Sequence, residues 1–137
     1  MERFLGRYEP YFYALLRIIM GFLLVWHGSQ KLLGFPPPKQ AMELNAPVAI
    51  SGVIELVGGL MILLGLFAGI AAFLASGMLA VAYFMVHAPG GFFPILNGGE
   101  LAVIYCFVCL YIAARGSGVF SIDSLLRRDR PETVERT

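Results

Sequence analysis

Four long apolar stretches leave this chain few ways to fold. They run over residues 11–33, 47–66, 69–87 and 98–114. At about 1.5 Å of rise per residue, the first three reach roughly 28–34 Å as helices, the thickness of a bilayer's hydrocarbon core. The fourth reaches about 25 Å, short but usable with Tyr105 and Tyr111 near or inside it. The runs are too long for strands, are rich in Gly, Ala and Leu, and lack alternation of period two. In lipid each backbone N–H and C=O must be satisfied within its own segment, which a helix does and a lone strand cannot. The expected fold is therefore all-α: an integral membrane four-helix bundle, with residues 1–137 as one transmembrane domain. Composition agrees. Hydrophobic residues make up 58% of the 137 and charged residues only 14%, against about 25% charged in soluble domains. That balance excludes disorder and a basic nucleic-acid-binding module. Two cysteines cannot form a disulfide framework.

The connections fit four spans. Residues 34–46 contain Pro36-Pro37-Pro38, which no helix continues through. Residues 65–69 allow only a tight turn, and 88–97 carry Pro89, Gly90, Gly91 and Pro94. The first span is too long for a signal-peptide core, and Gln30-Lys31-Leu32-Leu33 is no cleavage site, so it is expected to stay in the mature protein. Arg3, Arg7, Arg115, Arg127, Arg128, Arg130 and Arg136 fall on the side of the termini, against Lys31 and Lys39 on the other. The excess of arginine predicts that both termini, and the tail 115–137, are cytoplasmic. Residues 121–126 are expected to form a short C-terminal interfacial helix capped by Ser121. Ile122, Leu125 and Leu126 would then meet lipid, and Arg127, Arg128 and Arg130 anionic head groups.

Ionisable residues inside spans are costly and point to function. Those here are Arg17, His27 and Lys31 in the first span, Glu55 in the second, His87 ending the third, and Glu100 beginning the fourth beside Asn97. At 100° per residue, Arg17, Gly21, Gly28 and Lys31 share one face, as do Gly52, Glu55 and Gly59. Glu100, Ile104, Phe107 and Tyr111 share another, and Trp26 points away towards lipid. Ala68, Ala72, Ser76 and Ala80 form a small-residue stripe suited to helix packing. Apart from Arg17, these ionisable groups gather towards the outer end. The candidate site is thus a polar pocket of Arg17, His27, Lys31, Glu55, His87, Asn97 and Glu100. Arg17 has two ways to satisfy its charge, pairing with Glu55 or snorkelling to the cytoplasmic face, and the sequence leaves both open. Asn97-Gly98-Gly99-Glu100 also fits a capping box. Lys31 reads equally as an interfacial snorkel, and a buried Glu–Arg pair can set register rather than do chemistry.

Cys106 and Cys109 have the C-x-x-C spacing of thiol redox sites. They lie deep in the fourth span, where thiols stay neutral, and an i,i+3 pair in a helix strains a disulfide. Packing is the expected role. No Cys/His set has metal-binding spacing, and Gly90-Gly91 and Gly98-Gly99 lack the Lys-Ser/Thr of a P-loop.

Arg17-x3-Gly21 followed by Trp26-His27-Gly28-Ser29-Gln30-Lys31-Leu32 resembles the first-helix signature of the DoxX family of small membrane proteins. Glu55-Leu56-Val57-Gly58-Gly59-x5-Gly65 resembles its second-helix signature, and Asn97-Gly98-Gly99-Glu100 the start of its fourth helix. Gly116-x-Gly118-x2-Ser121-Ile122-Asp123 resembles its C-terminal motif. The resemblance spans residues 13 to 125. It implies a four-helix bundle in the bacterial plasma membrane. Family members are called oxidoreductase subunits, by relation to a thiosulfate:quinone oxidoreductase, and some are linked to thiol and oxidative-stress systems. The family's pattern gives the two cysteines no role.

The expected function is a membrane component of a redox system, quinone- or thiol-linked. In that reading Glu55 and Glu100 accept protons, His27 and His87 hydrogen-bond ligand oxygens, and Arg17 or Lys31 stabilises an anionic reduced form. A quinone is the candidate ligand, although no cofactor-binding motif is visible. Partners would be the lipid bilayer, a partner oxidoreductase and further copies of the chain, with no nucleic acid. The alternatives are a non-catalytic membrane scaffold or assembly factor for a partner enzyme, and a small-molecule carrier.

Overall fold

A computed structural model describes residues 1–128. Most of those residues are helical, and none of them is in a strand. We label the elements α1 (Glu2–Leu33), α2 (Ala46–Leu64), α3 (Ala68–Gly90), α4 (Pro94–Asn97), α5 (Glu100–Arg115) and α6 (Ile122–Arg128). The first three are long and apolar enough to cross a membrane. The 16 residues of α5 make it shorter than these. It begins two residues later than the hydropathy suggests, because Pro94–Asn97 forms its own turn of helix, ended by Gly98 at φ +72°.

The boundaries follow from local chemistry. Gly34 ends α1 in the left-handed conformation, at φ +66°. Asn45 caps α2 by accepting from the Val48 N–H at 3.0 Å, with Pro47 in the first turn. Gly65, at φ +67°, closes α2, and α3 starts three residues on.

Two stretches depart from α geometry. Residues Ile54–Gly58 in α2 and Tyr83–His87 in α3 are wound as π-helix. Each holds one of the candidate site residues, Glu55 and His87. A π turn inserts an extra residue and redirects the side chains around it, so a wheel drawn at 100° per residue loses register there.

α1 packs along α2, α3 along α5, and α2 joins the two pairs through α3. The first contact is made by glycine. A Cβ at Gly21 would come within 2.4 Å of the Leu63 N, and one at Gly28 within 2.3 Å of the Leu56 N. Gly59 faces back onto Val25 N and Gly21 O. The backbones therefore touch, as small residues permit in membrane helices. In the second pair the small-residue stripe is used as expected. Ala68, Ala72 and Ser76 are buried, and Ser76 Oγ donates to the Cys106 carbonyl at 2.9 Å. Cys109 is buried, Cys106 is half-buried with its Sγ 3.4 Å from Ser76 Oγ, and both are free thiols. Leu24, Ile62, Ala75 and Ile112 complete the core. The outside is apolar: Phe22, Ile50, Ile70, Phe73, Val81, Phe84 and Phe107 are all exposed. Trp26 is among them, edge-on to Phe22 and Phe35, as its place on the wheel predicts.

Candidate functional site

The polar side chains of the spans form separate groups at the two ends of the molecule. At the end bearing the termini, Arg17 is fully buried, 0% exposed. It does not pair with Glu55. Its Nη2 donates to the carbonyls of Phe120 at 2.7 Å and Val119 at 3.4 Å, and its Nη1 lies 3.5 Å from the Ile62 carbonyl. Ile62 is in the last turn of α2, whose carbonyls have no partner within the helix. One guanidinium thus caps α2 and grips the segment after α5. The fit needs a glycine at 65, since a Cβ there would lie 2.0 Å from Arg17 Nη1.

The same segment is held at further points. Tyr13 donates its hydroxyl to the Gly116 carbonyl. Asp123 accepts from the Phe67 N–H at 2.9 Å and from the Ser117 hydroxyl, while its own N–H donates to the Gly65 carbonyl at 3.1 Å. The Ala68 N–H donates to Ser117 Oγ at 3.4 Å. A carboxylate from far along the chain therefore caps α3, at the helix end where negative charge is favoured. Ser121 accepts from the Ser124 N–H at 3.2 Å and caps α6 as expected. Arg115 forms an ion pair with Glu9 and lies over the Tyr13 ring, closing α5 onto α1. Of the arginines expected to face head groups, Arg127 and Arg128 are exposed at the end of α6. Arg130 and Arg136 lie outside the described residues.

This clasp explains the Gly116–Asp123 motif as a structural device. We expect Asp123→Ala to cost about 1 kcal/mol, the usual worth of a helix cap. Asp123→Asn should retain most of it, because an amide oxygen caps as well. Thermal unfolding in detergent measures both, and an unchanged Asp123→Ala protein would remove the cap from the account.

At the far end, Lys31 and Glu55 meet. Glu55 is 4% exposed. Lys31 Nζ donates to Glu55 Oε1 at 2.8 Å and to Ser51 Oγ at 3.1 Å. It is also 2.8 Å from Glu55 Oε2, but that oxygen has no aligned hydrogen-bond donor among the described residues. Lys31 keeps its side chain 20% exposed, reaching the pair from the rim. Ser29 and Gln30 hold the following loop, donating to the carbonyls of Phe35 at 2.6 Å and Pro36 at 3.0 Å.

The remaining candidates make no hydrogen bond to this pair. His27 is half-buried, edge-on to Tyr105 of α5. His87 stacks on Tyr83, with Nδ1 3.2 Å from the Asn97 carbonyl. Asn97 Nδ2 donates to the Gly91 carbonyl at 2.9 Å and the Tyr83 hydroxyl at 3.2 Å, and its Oδ1 accepts from the Gly99 N–H at 2.8 Å. The capping-box reading therefore needs correction. Asn97 ends α4, Gly99 is the residue before α5, and no Asn97–Glu100 exchange forms. Glu100 is exposed, as are Ile104, Phe107 and Tyr111, so the face they share looks outward. Among the described residues, no three His, Cys, Asp or Glu side chains come close enough to hold a metal ion.

Tyr13, Ser117, Asp123 and Tyr83 belong to these clusters and escape a reading based on ionisable residues within spans. For Asp123 the Gly116–Asp123 motif was the available signal, and it reaches Ser117 only as its neighbour; Tyr13 and Tyr83 have none.

An apolar exterior around helices that turn their ionic groups inward defines a multi-pass membrane protein. The DoxX family model matches residues 12–88, which take in most of α1 to α3. An uncharacterized protein of Haemophilus influenzae is 41% identical over 126 residues, covering 88% of this chain and 94% of the relative. Another uncharacterized protein of that organism is 26% identical over 130 residues, covering 83% and 85%. No solved structure matches the chain. The chain belongs to the DoxX family.

Proposed function

We propose that this protein is a non-catalytic membrane component of a redox system, a single transmembrane four-helix domain that holds a partner oxidoreductase in the bilayer of the bacterial plasma membrane. α1, α2, α3 and α5 are its spans in this reading. Both termini face the cytoplasm, because Arg3, Arg7, Arg115, Arg127 and Arg128 belong to the end that Glu9–Arg115 closes, whereas Lys31 and Lys39 belong to the other. The observation that carries the role is how the charges are spent. Arg17 engages its two terminal nitrogens with backbone carbonyls, its buried Nε having no partner among the described residues, and Lys31 is held by Glu55 and Ser51. Groups so engaged fix helix register, a well-attested use of buried ionic residues.

One observation favours a second reading. Glu55 Oε2 lacks an aligned donor within a π turn, and π turns recur at functional sites. The hydroxyl of a reduced quinone, or a comparable donor group of a ligand, would satisfy it.

The test separates the two. Purified in mild detergent, the protein should carry a cofactor-bearing oxidoreductase with it, and alone should show no saturable binding of a short-chain quinone. Glu55→Gln should lower thermal stability by about 1 kcal/mol, the scale of one lost charged hydrogen bond, and leave co-purification intact. Saturable quinone binding that Glu55→Gln and His27→Ala abolish, in proteins that still fold, would establish the second reading in place of the first.

A further inference from the structure

Two concavities adjoin at the end that bears the termini. One is an apolar furrow of about 560 Å³ on the outer surface, between Gly69, Ile70 and Phe73 of α3 and Leu110, Ala113 and Ala114 of α5. The other is a polar hollow of about 350 Å³, lined by Arg115, Ser117, Ser124 and Arg127 together with Asp123. They are continuous in the chain, since α5 passes from Ala114 in the furrow to Arg115 in the hollow. They are also continuous in space, because a Cβ at Gly69 would sit 3.8 Å from Gly116 Cα, at the junction.

We propose that the pair forms a binding site for one anionic phospholipid, its acyl chain in the furrow and its phosphate in the hollow. The inference rests on the reading that α3 and α5 span the bilayer. The apolar half is wide because its floor is Gly69, Ala113 and Ala114, while Ile70, Phe73 and Leu110 form its walls. The polar half offers a phosphate the charge of Arg127, and it is lined by Ser117 and Ser124, whose hydroxyl hydrogens go to Asp123 and the Ser121 carbonyl. Among the described residues the acidic groups nearby are already engaged. Asp123 accepts from the Phe67 N–H and the Ser117 hydroxyl. Glu9 is held by Arg115, and of the described residues that line the hollow, Arg127 is an exposed cation with no ion pair. Acyl chain and phosphate are thus received in the order in which a phospholipid presents them.

Native mass spectrometry tests this on the full chain, released from vesicles of equal parts phosphatidylglycerol and phosphatidylcholine with identical acyl chains. One retained phosphatidylglycerol per chain is expected, enriched over phosphatidylcholine. Arg127→Gln should reduce that enrichment about fivefold, the factor one basic side chain contributes at an anionic surface. Ala114→Phe fills the furrow from an exposed position, so it should reduce retention of both lipids without unfolding the protein. Equal retention of the two lipids, or enrichment indifferent to both substitutions, overturns the proposal. So does glycerol 3-phosphate displacing the lipid, which would mark a site for soluble phosphate. So would a dimer that Ala114→Phe converts to monomer while lipid content stays unchanged. Absence of a co-purifying oxidoreductase defeats the proposed function and leaves this result standing. A protein soluble without detergent defeats both.

Discussion

Replacing Arg17 with methionine is expected to release the segment after α5 and to destabilise the protein by about 1–3 kcal/mol, the cost of leaving a buried acceptor without its donor. Methionine fills similar space but donates nothing. The carbonyls of Val119 and Phe120 then lose this donor, while the Ile62 carbonyl at the end of α2 keeps the Gly65 N–H at 3.2 Å. A buried polar group left unpaired costs about 1–3 kcal/mol. Residues 116–123 can recover part of this by moving out to water, at the expense of the Asp123 cap on α3 and the Tyr13 contact with Gly116. Two readouts should therefore change together, a lower unfolding midpoint in detergent and faster proteolysis between Gly116 and Asp123. Arg17→Lys separates charge from shape. A lysine keeps the cation but not the planar fork that spans several carbonyls, so it should fall between wild type and Arg17→Met. A methionine variant whose tail stays protected would show that the guanidinium is not what holds the clasp.

Arg17 also marks where reading from sequence stopped. Its face on α1 was legible, because Arg17, Gly21 and Gly28 follow helical spacing and all three are buried against α2 or the clasp. Its partners were not. They are backbone carbonyls about a hundred residues away, and a carbonyl has no side-chain identity to search for. Lys31 and Glu55 were legible as candidates on glycine-bearing faces, but the sequence offered Glu55 to Arg17 and Lys31 as an interfacial snorkel, and the structure pairs Lys31 with Glu55 at 2.8 Å. Local signals fared according to length. Ser121 caps α6 through a contact three residues away. Asn97 satisfied the same kind of local pattern and still went elsewhere, because Gly91, Tyr83 and Gly99 compete for its side chain. The π turns at Ile54–Gly58 and Tyr83–His87 have no compositional mark. A π turn shifts the faces that a uniform wheel would align.

The other large effect is expected at Gly28. Gly28→Val places a branched side chain where a Cβ alone would be 2.3 Å from the Leu56 N and 2.7 Å from the Gly52 carbonyl oxygen. These are backbone atoms of a helix and have no rotamer by which to yield, so α1 and α2 must separate. Overpacking a core typically costs about 1–3 kcal/mol, and more where the backbone has to move. We expect this variant to exceed 3 kcal/mol and to accumulate poorly. Separation also carries Lys31, one turn further along α1, away from Glu55 on α2. The carboxylate would then be buried without its cation. Gly34→Ala provides the contrast on the same helix, since no atom lies within 4 Å of a Cβ there and only the left-handed φ of +66° is strained. Its loss should stay near 1 kcal/mol, the scale of left-handed strain in an L-residue. Matching losses for the two variants would mean that backbone contact between α1 and α2 does not decide stability. A much larger loss at Gly28 would show that the Lys31–Glu55 pair depends on glycine-mediated helix contact for its geometry.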